Sequence, residues 1–212
     1  SAKNDLLREL DQKAPGTYQH SLHVSTLAES AAEAIGANAL LCRVSALYHD
    51  IGKIRKPQYF SENPVTSSEK KAHSKISSNL SCLLIRNHVK DGVETAQRLK
   101  LPKPITDAIV QHHGTTLISF FYDKALSENP GSKIKEEDYR YPGPKPQTIE
   151  NAIIMLADSI EASSRSLTSF TQGDIQLLVR KVINDKFMDG QFDECDLTLK
   201  DLHTLSNTFA GN

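Results

Sequence analysis

Tryptophan is missing from this 212-residue chain, and cysteine is scarce: Cys42, Cys82 and Cys195 stand at spacings that suggest no pairing. That excludes a disulfide framework and a zinc knuckle, and it fits a reducing, cytoplasmic setting. No apolar run approaches the length of a membrane span, and the N-terminus has no charged, apolar, small-residue signal pattern. An excess of either charge is also lacking. With 25 Lys and Arg against 26 Asp and Glu, bulk electrostatics offer no reason to expect a nucleic-acid polymer as partner. A small anionic ligand held by local groups stays open. There is no convincing alternation of apolar and polar residues, no internal repeat and no obvious boundary, so residues 1–212 are expected to form one domain.

What is present is helical periodicity almost throughout, which makes the expected fold class all-α. Residues 4–13 read as a short charged helix, and Pro15-Gly16-Thr17 starts the next, with Thr17 as its N-cap. On that second helix, running to Ile35, His20, Val24, Leu27, Ala31 and Ala34 share one stripe, so His20 looks inward. Gly36-Ala37-Asn38 then breaks the pattern. Residues 40–48 deliver His49 and Asp50 at a helix end, and Gly52 is expected to supply a left-handed stop.

Residues 55–78 are polar, with Pro57, Pro64, His73 and a charged run at 67–71, and read as a surface connector. Residues 80–85 restart a helix that is expected to end at His88-Val89-Lys90-Asp91-Gly92. Another spans 93–99, and a further one from Ile105 leads into His112-His113. Residues 115–126, rich in Phe120, Phe121 and Tyr122, read as core packing. Residues 127–148 carry four prolines and several basic residues, and are either a solvated connector or a substrate lid. Residues 149–160 form the most apolar helix, interrupted by Asp158; 174–187 and 197–209 complete the set.

The chemistry lies in the order His20, His49-Asp50, His88, His112-His113, Asp158. Singly, each has a plain reading: a hydrogen-bonded core histidine, a capped helix end or a buried salt bridge. Together they supply imidazole from four places on apolar helices and two embedded carboxylates, more than one ion needs and the right inventory for two. A two-ion site needs a bridging carboxylate, which Asp50 can be, and such a pair activates a bridging hydroxide for attack on phosphorus. Imidazole-rich donors without thiolate suit iron, manganese or cobalt. Lys53 follows the His-Asp turn closely enough to reach a substrate phosphate, so Asp50 and Lys53 are the candidate catalytic residues. Arg140 and Tyr141 are candidate substrate-facing residues, suited to phosphate and purine.

This order of ligands resembles the HD superfamily of metal-dependent phosphohydrolases. The fuller wording, Ala14-Pro15-Gly16-Thr17-Tyr18-Gln19-His20-Ser21, His49-Asp50-Ile51-Gly52-Lys53, His88-Val89-Lys90-Asp91-Gly92, His112-His113-Gly114-Thr115-Thr116 and Arg140-Tyr141-Pro142-Gly143-Pro144-Lys145-Pro146-Gln147-Thr148, is similar to the cytoplasmic HD domain of PgpH-type membrane phosphodiesterases. The likeness spans nearly the whole chain. It implies an HD-domain helical fold and two divalent transition-metal ions, iron or manganese. One ion would be held by His20, His49, Asp50 and Asp158, the other by Asp50, His88, His112 and His113.

The resemblance also implies cleavage of cyclic di-AMP to linear pApA. It further implies attachment to a membrane through segments outside this chain, and it allows a homodimer. The Gly-Tyr-Pro signature of the related cyclic di-GMP enzymes is missing. Ser78 stands where the family pattern leads one to expect proline, and a further segment is expected after the last helix. The alternatives are another HD-type nucleotide phosphohydrolase and a catalytically weak cyclic-dinucleotide receptor. Missing ligands would mark the receptor, and none is missing.

Overall fold

The computed structural model describes residues 2–63 and 76–211. Among them are nine α-helices and no strand: α1 (Ala2–Lys13), α2 (Pro15–Ile35), α3 (Ala39–Tyr48), α4 (Ser78–Arg98), α5 (Lys103–Gln111), α6 (Ser119–Glu128), α7 (Ile149–Ser164), α8 (Gln172–Met188) and α9 (Leu199–Phe209). The all-α expectation therefore holds. None of these helices is long and apolar enough to cross a membrane. Pro64, the charged run at 67–71 and His73 lie outside the described residues.

The chain is organised around α7. Residues 152–157 are completely excluded from solvent, because a helix that is apolar on every side can be accommodated only with neighbours on every side. Those neighbours are α2, α3, α5 and α8. Ile153, Ile154, Met155 and Leu156 each contribute about 1.5–3 kcal/mol by leaving water. The helix is capped by the Thr148 side chain, which accepts from the Asn151 amide at 3.2 Å. Asp158 follows directly on this apolar run, at one of the best-anchored places in the molecule.

Several local expectations are corrected. α2 begins at Pro15 with no side-chain cap, and Thr17 is buried instead, its amide donating to Asn63 Oδ1 at 3.0 Å and its hydroxyl to Glu62 Oε1 at 3.0 Å. Tertiary partners thus take the groups that a cap would use. The buried face of α2 is centred on His20, Ser21, Val24, Ala28 and Ala31, with Ala34 exposed, because α3, α7 and α9 all lie against it. In α6, Phe121 is buried but Phe120 is 69% exposed, since consecutive helical side chains diverge by about 100°.

The two helices expected within 80–99 are one, α4, which runs straight through Asp91-Gly92. Gly52 is not left-handed either; it lies in a 3-10 turn, Ile51–Arg55. Both glycines serve close approach. A Cβ on Gly52 would stand 1.8 Å from the His88 carbonyl oxygen and 2.6 Å from the Gly92 nitrogen, and one on Gly92 would stand 2.8 Å from Ile109 Cγ2. The turn that carries the His49-Asp50 pair can therefore press onto α4 beside His88. Helix-interior glycine costs about 1 kcal/mol, and here this contact offsets it.

The connector 127–148 is tied down at its far end. The Ile118 amide donates to the Tyr139 carbonyl and the Tyr141 amide to the Thr116 carbonyl, each at 2.9 Å, around an isolated bridge of Leu117 and Arg140. Arg140 also reaches α8, its two terminal nitrogens lying 3.0 and 2.9 Å from the Asp189 carboxylate. Arg140 and Tyr141 are thereby held beside the end of α5.

Gly52→Ala is expected to destabilise the chain by about 3 kcal/mol, the upper part of the overpacking range, because the clash is with backbone. At Gly36, where φ is 75° and no atom lies within 4 Å of an added Cβ, alanine is expected to cost only about 1 kcal/mol. Urea unfolding of the two variants checks the ordering; equal losses would remove the close-approach argument.

Candidate metal centre

Three of the histidines are set by one local device. His49 Nδ1 donates to the Ala46 carbonyl at 2.6 Å, His88 Nδ1 to Ile85 at 2.5 Å and His112 Nδ1 to Ile109 at 2.9 Å. A carbonyl only accepts, so each Nδ1 carries a proton and, in the neutral ring, each Nε2 presents a lone pair. In each case the acceptor is three residues back in or at the end of the same helix, so the helix fixes the tautomer as well as the position.

These lone pairs converge on Asp50. Asp50 Oδ1 lies 3.2 Å from His88 Nε2 and 3.4 Å from His112 Nε2. Asp50 Oδ2 lies 3.3 Å from His49 Nε2 and 3.7 Å from His20 Nε2. Asp158 closes the second side, with Oδ1 at 2.8 Å from His20 Nε2 and Oδ2 at 3.7 Å from His113 Nδ1. The potential ligand atoms fall into two groups, each gathered within 4.8 Å: Asp50, His88, His112 and His113; and His20, His49, Asp50 and Asp158. Asp50 is common to both, one oxygen turned toward each. All seven candidate metal residues are thus brought together.

The donors fit cations better than they fit each other. His49 Nε2 and both Asp50 oxygens are buried without a hydrogen-bond donor. Lys53 Nζ stands 2.7 Å from Asp50 Oδ2 as an ion pair, one cation against the negative charge of the centre. The Nε2 atoms of His88 and His112 face one another at 3.3 Å, although both Nδ1 positions already hold the proton, so two lone pairs oppose each other. Buried polar atoms left in this way are costly, and a divalent cation in each group satisfies them. Electrostatics agree. Burial alone would lower the His49 pKa, yet Asp50 and Asp158 push it up to about 10. Burial would raise Asp50, yet Lys53 and His49 hold it well below the carboxylate range. Asp50 and Asp158 thus draw positive charge to His49, which a metal ion would supply in place of its second proton, while burial lowers the pKa values of His112 and His113 and keeps those rings neutral. The two His/Asp groups are able to hold metal.

Around the donors lies a ring of charge that sequence reasoning largely missed. Lys53 Nζ reaches Glu62 Oε1 at 2.8 Å and lies 4.8 Å from the Phe60 ring centre. Glu62 Oε2 is 3.9 Å from Arg165, which pairs with Glu161, which in turn meets His20 Nδ1. Glu161 was legible in principle, three residues beyond Asp158 on the same helical face. Glu62 was not, because the turn that carries it reaches the centre only through the fold.

Beside His113 and Asp158 opens a cleft of about 580 Å³, also lined by Phe120, Arg140, Tyr141 and Lys186. Tyr141 stacks on His113 with ring centres 4.1 Å apart, while the Arg140 guanidinium is engaged by Asp189 and Glu136. Lys186 has no carboxylate partner within 4.0 Å among the described residues, and desolvation lowers its pKa. Nothing in its helical pattern distinguished it from a solvated lysine.

A helical scaffold, over the described residues, with two His/Asp donor groups sharing one carboxylate is of the kind that can hold two metal ions, and comparison narrows the class. Residues 17–163 match the HD domain, and the chain belongs to that family. It is 50% identical over 203 residues to the cyclic-di-AMP phosphodiesterase PgpH of Bacillus subtilis and 47% identical to PgpH of Listeria monocytogenes, covering 96% of this chain in each case. The chain spans 28% of the length of these two relatives. Its structure is similar to the crystal structure of the L. monocytogenes PgpH HD domain in complex with cyclic-di-AMP, with a TM-score of 0.92 and 46% identity, covering 98% of this chain and 94% of that one.

If the two groups hold ions, manganese added to chelator-stripped protein raises the melting temperature. At 100 times the dissociation constant each ion stabilises by about 2.7 kcal/mol. Calorimetry with and without Mn²⁺ checks this, and an unchanged transition would refute it.

Proposed function

We propose that this chain is the HD domain, residues 1–212, of a metal-dependent phosphodiesterase that hydrolyses cyclic di-AMP to linear pApA. The observation that carries the reading is the buried Asp50 carboxylate, with one oxygen turned to each donor group and Lys53 as its cationic neighbour. Likeness to the PgpH relatives supports the substrate, and their greater length supports a domain of a longer protein, which on this reading lies on the cytoplasmic side of a membrane that other segments span.

His20, His49, Asp50 and Asp158 would hold one ion, and Asp50, His88, His112 and His113 the other. No cysteine enters either group, and imidazole with carboxylate suits iron or manganese. Bound divalent ions supply an attacking water at neutral pH and neutralise the charge that grows on the phosphoryl oxygens.

The remaining work belongs to the chain. Asp50, Asp158, Glu62 and Glu161 outnumber Lys53 and Arg165 by two charges; two divalent ions reverse that to an excess of two positive charges. A cyclic dinucleotide brings two phosphodiester charges of the opposite sign. Lys53 is placed against Asp50 to meet the phosphate undergoing cleavage. Tyr141 backs His113 and presents an aromatic wall, and Arg140 fixes that wall through Asp189. Phe120 and Lys186 lie farther round the cleft, where a purine and the second phosphate would be received. A cleft of about 580 Å³ is in the size range of small-molecule sites.

The direct test loads the chain anaerobically with Fe²⁺ or Mn²⁺ and offers cyclic di-AMP, cyclic di-GMP, ATP and AMP. Accumulation of pApA from cyclic di-AMP is expected; cleavage of the mononucleotides alone would overturn the reading in favour of a general nucleotide phosphohydrolase. Lys53→Ala is expected to lower kcat about 10²-fold with both ions retained, since removing a cation beside Asp50 does not weaken metal binding. Unchanged kinetics would take Lys53 out of the site.

Asp50→Asn should lower occupancy of both ions, while Asp158→Asn should lose mainly one. Metal content per chain decides between them, and equal losses in the two variants would sink the bridging assignment.

A further inference from the structure

His20 is held differently from the other imidazoles. His49, His88 and His112 are each oriented by a backbone carbonyl three residues back, whereas both ring nitrogens of His20 are gripped by carboxylates of α7. Asp158 Oδ1 meets Nε2 at 2.8 Å, and Glu161, one turn on, meets Nδ1 through Oε2. The same Glu161 oxygen accepts from Arg165, at 2.6 Å from Nη2 and 3.2 Å from Nε, and Nη2 also lies 3.0 Å from His20 Nδ1, so the three groups form one cluster. Glu161 has 12% of its side chain exposed and His20 2%, so this contact is shielded while the outer part of Arg165 is not.

A carboxylate on the outer nitrogen of an imidazole does more than a carbonyl does. It fixes ring orientation and, being charged, makes the inner nitrogen a stronger donor. The Arg165–Glu161 pair, at i, i+4 and with the arginine 36% exposed, is open to solvent on one side and adds little to folding in itself. The arrangement therefore makes more sense toward His20 than toward the fold. Resting on the two-ion reading above, we propose that Glu161, held by Arg165, is a positioning residue that sets His20 for the ion shared by His20, His49, Asp50 and Asp158. It makes the affinity of that ion, and not of the other, depend on residues that touch no metal.

The test is titration of Mn²⁺ into chelator-stripped protein, with free Mn²⁺ followed by electron paramagnetic resonance. Wild type should bind two ions. Glu161→Ala should weaken one of them about 10- to 100-fold, the usual cost of losing such an outer partner, and leave the other within about twofold. Glu161→Gln, which keeps an acceptor oxygen but not the charge, should fall between. Arg165→Ala should move the same ion by less. In an Asp158→Asn background, Glu161→Ala should leave the remaining ion essentially unaffected, because both residues serve the ion already lost.

Melting of the stripped variants should match that of the stripped wild type. Wild-type affinities in Glu161→Ala would overturn the proposal, as would equal weakening of both ions or a large drop in the melting temperature of the stripped protein, which would make Glu161 a residue of the scaffold. A wild-type chain that takes up no Mn²⁺ would instead overturn the metal reading itself, and this proposal with it.

Discussion

The structure depends on one buried carboxylate. Asp50 sits at the end of α3 with 1% of its surface exposed and neither oxygen accepting a hydrogen bond. A carboxylate taken out of water in this way costs several kcal/mol unless opposite charge meets it. Lys53 meets part of that need from one side, and Nε2 of four imidazoles faces the rest. Because imidazole lone pairs do not satisfy carboxylate oxygens, the arrangement has a deficit of positive charge by construction, and two divalent cations have the charge to fill it.

Everything around Asp50 keeps that deficit in place. The apolar run of α7 anchors Asp158 and Glu161 in the middle of the molecule, where four neighbouring helices fix their position. The 3-10 turn after Asp50 is pressed onto α4 at two glycines, so His88 cannot drift from Asp50 without opening a backbone contact. The α3, α4 and α5 histidines are aimed by their own helices through the carbonyl three residues back. His113, the next residue on, lacks that device, and Tyr141 stacks on it instead. The short bridge at Leu117 and Arg140 carries Tyr141 there. Precision at the centre thus comes from rigid helices and backbone contacts, with one tethered segment forming the wall of the cleft.

The sequence by itself determined the class of the fold and the inventory of donors. Helical period, the break at Gly36, and the unbroken apolar stretch before Asp158 are local signals, and so is the adjacency in His49-Asp50 and His112-His113. Imidazoles and carboxylates at the ends or on the inner faces of apolar helices have few places to go except a common interior. That is why the whole donor set could be named from residue types and spacing before any distance was known.

Only the tertiary structure decided what each group faces. The glycines at 52 and 92 read locally as helix stops, but they are crossing points, because the residue each must avoid is distant in the chain. Thr17 read as a cap and is spent on Asn63 and Glu62, more than 40 residues away. Phe120 read as core and lies on the cleft, since periodicity assigns a face without saying what covers it. Glu62, Arg165 and Lys186 look like ordinary surface charges in sequence, and nothing in their neighbours marks them. Their roles arise from distances of a few ångströms between elements far apart in the chain, and electrostatic interaction is set by such distances and by burial, neither of which a one-dimensional pattern contains.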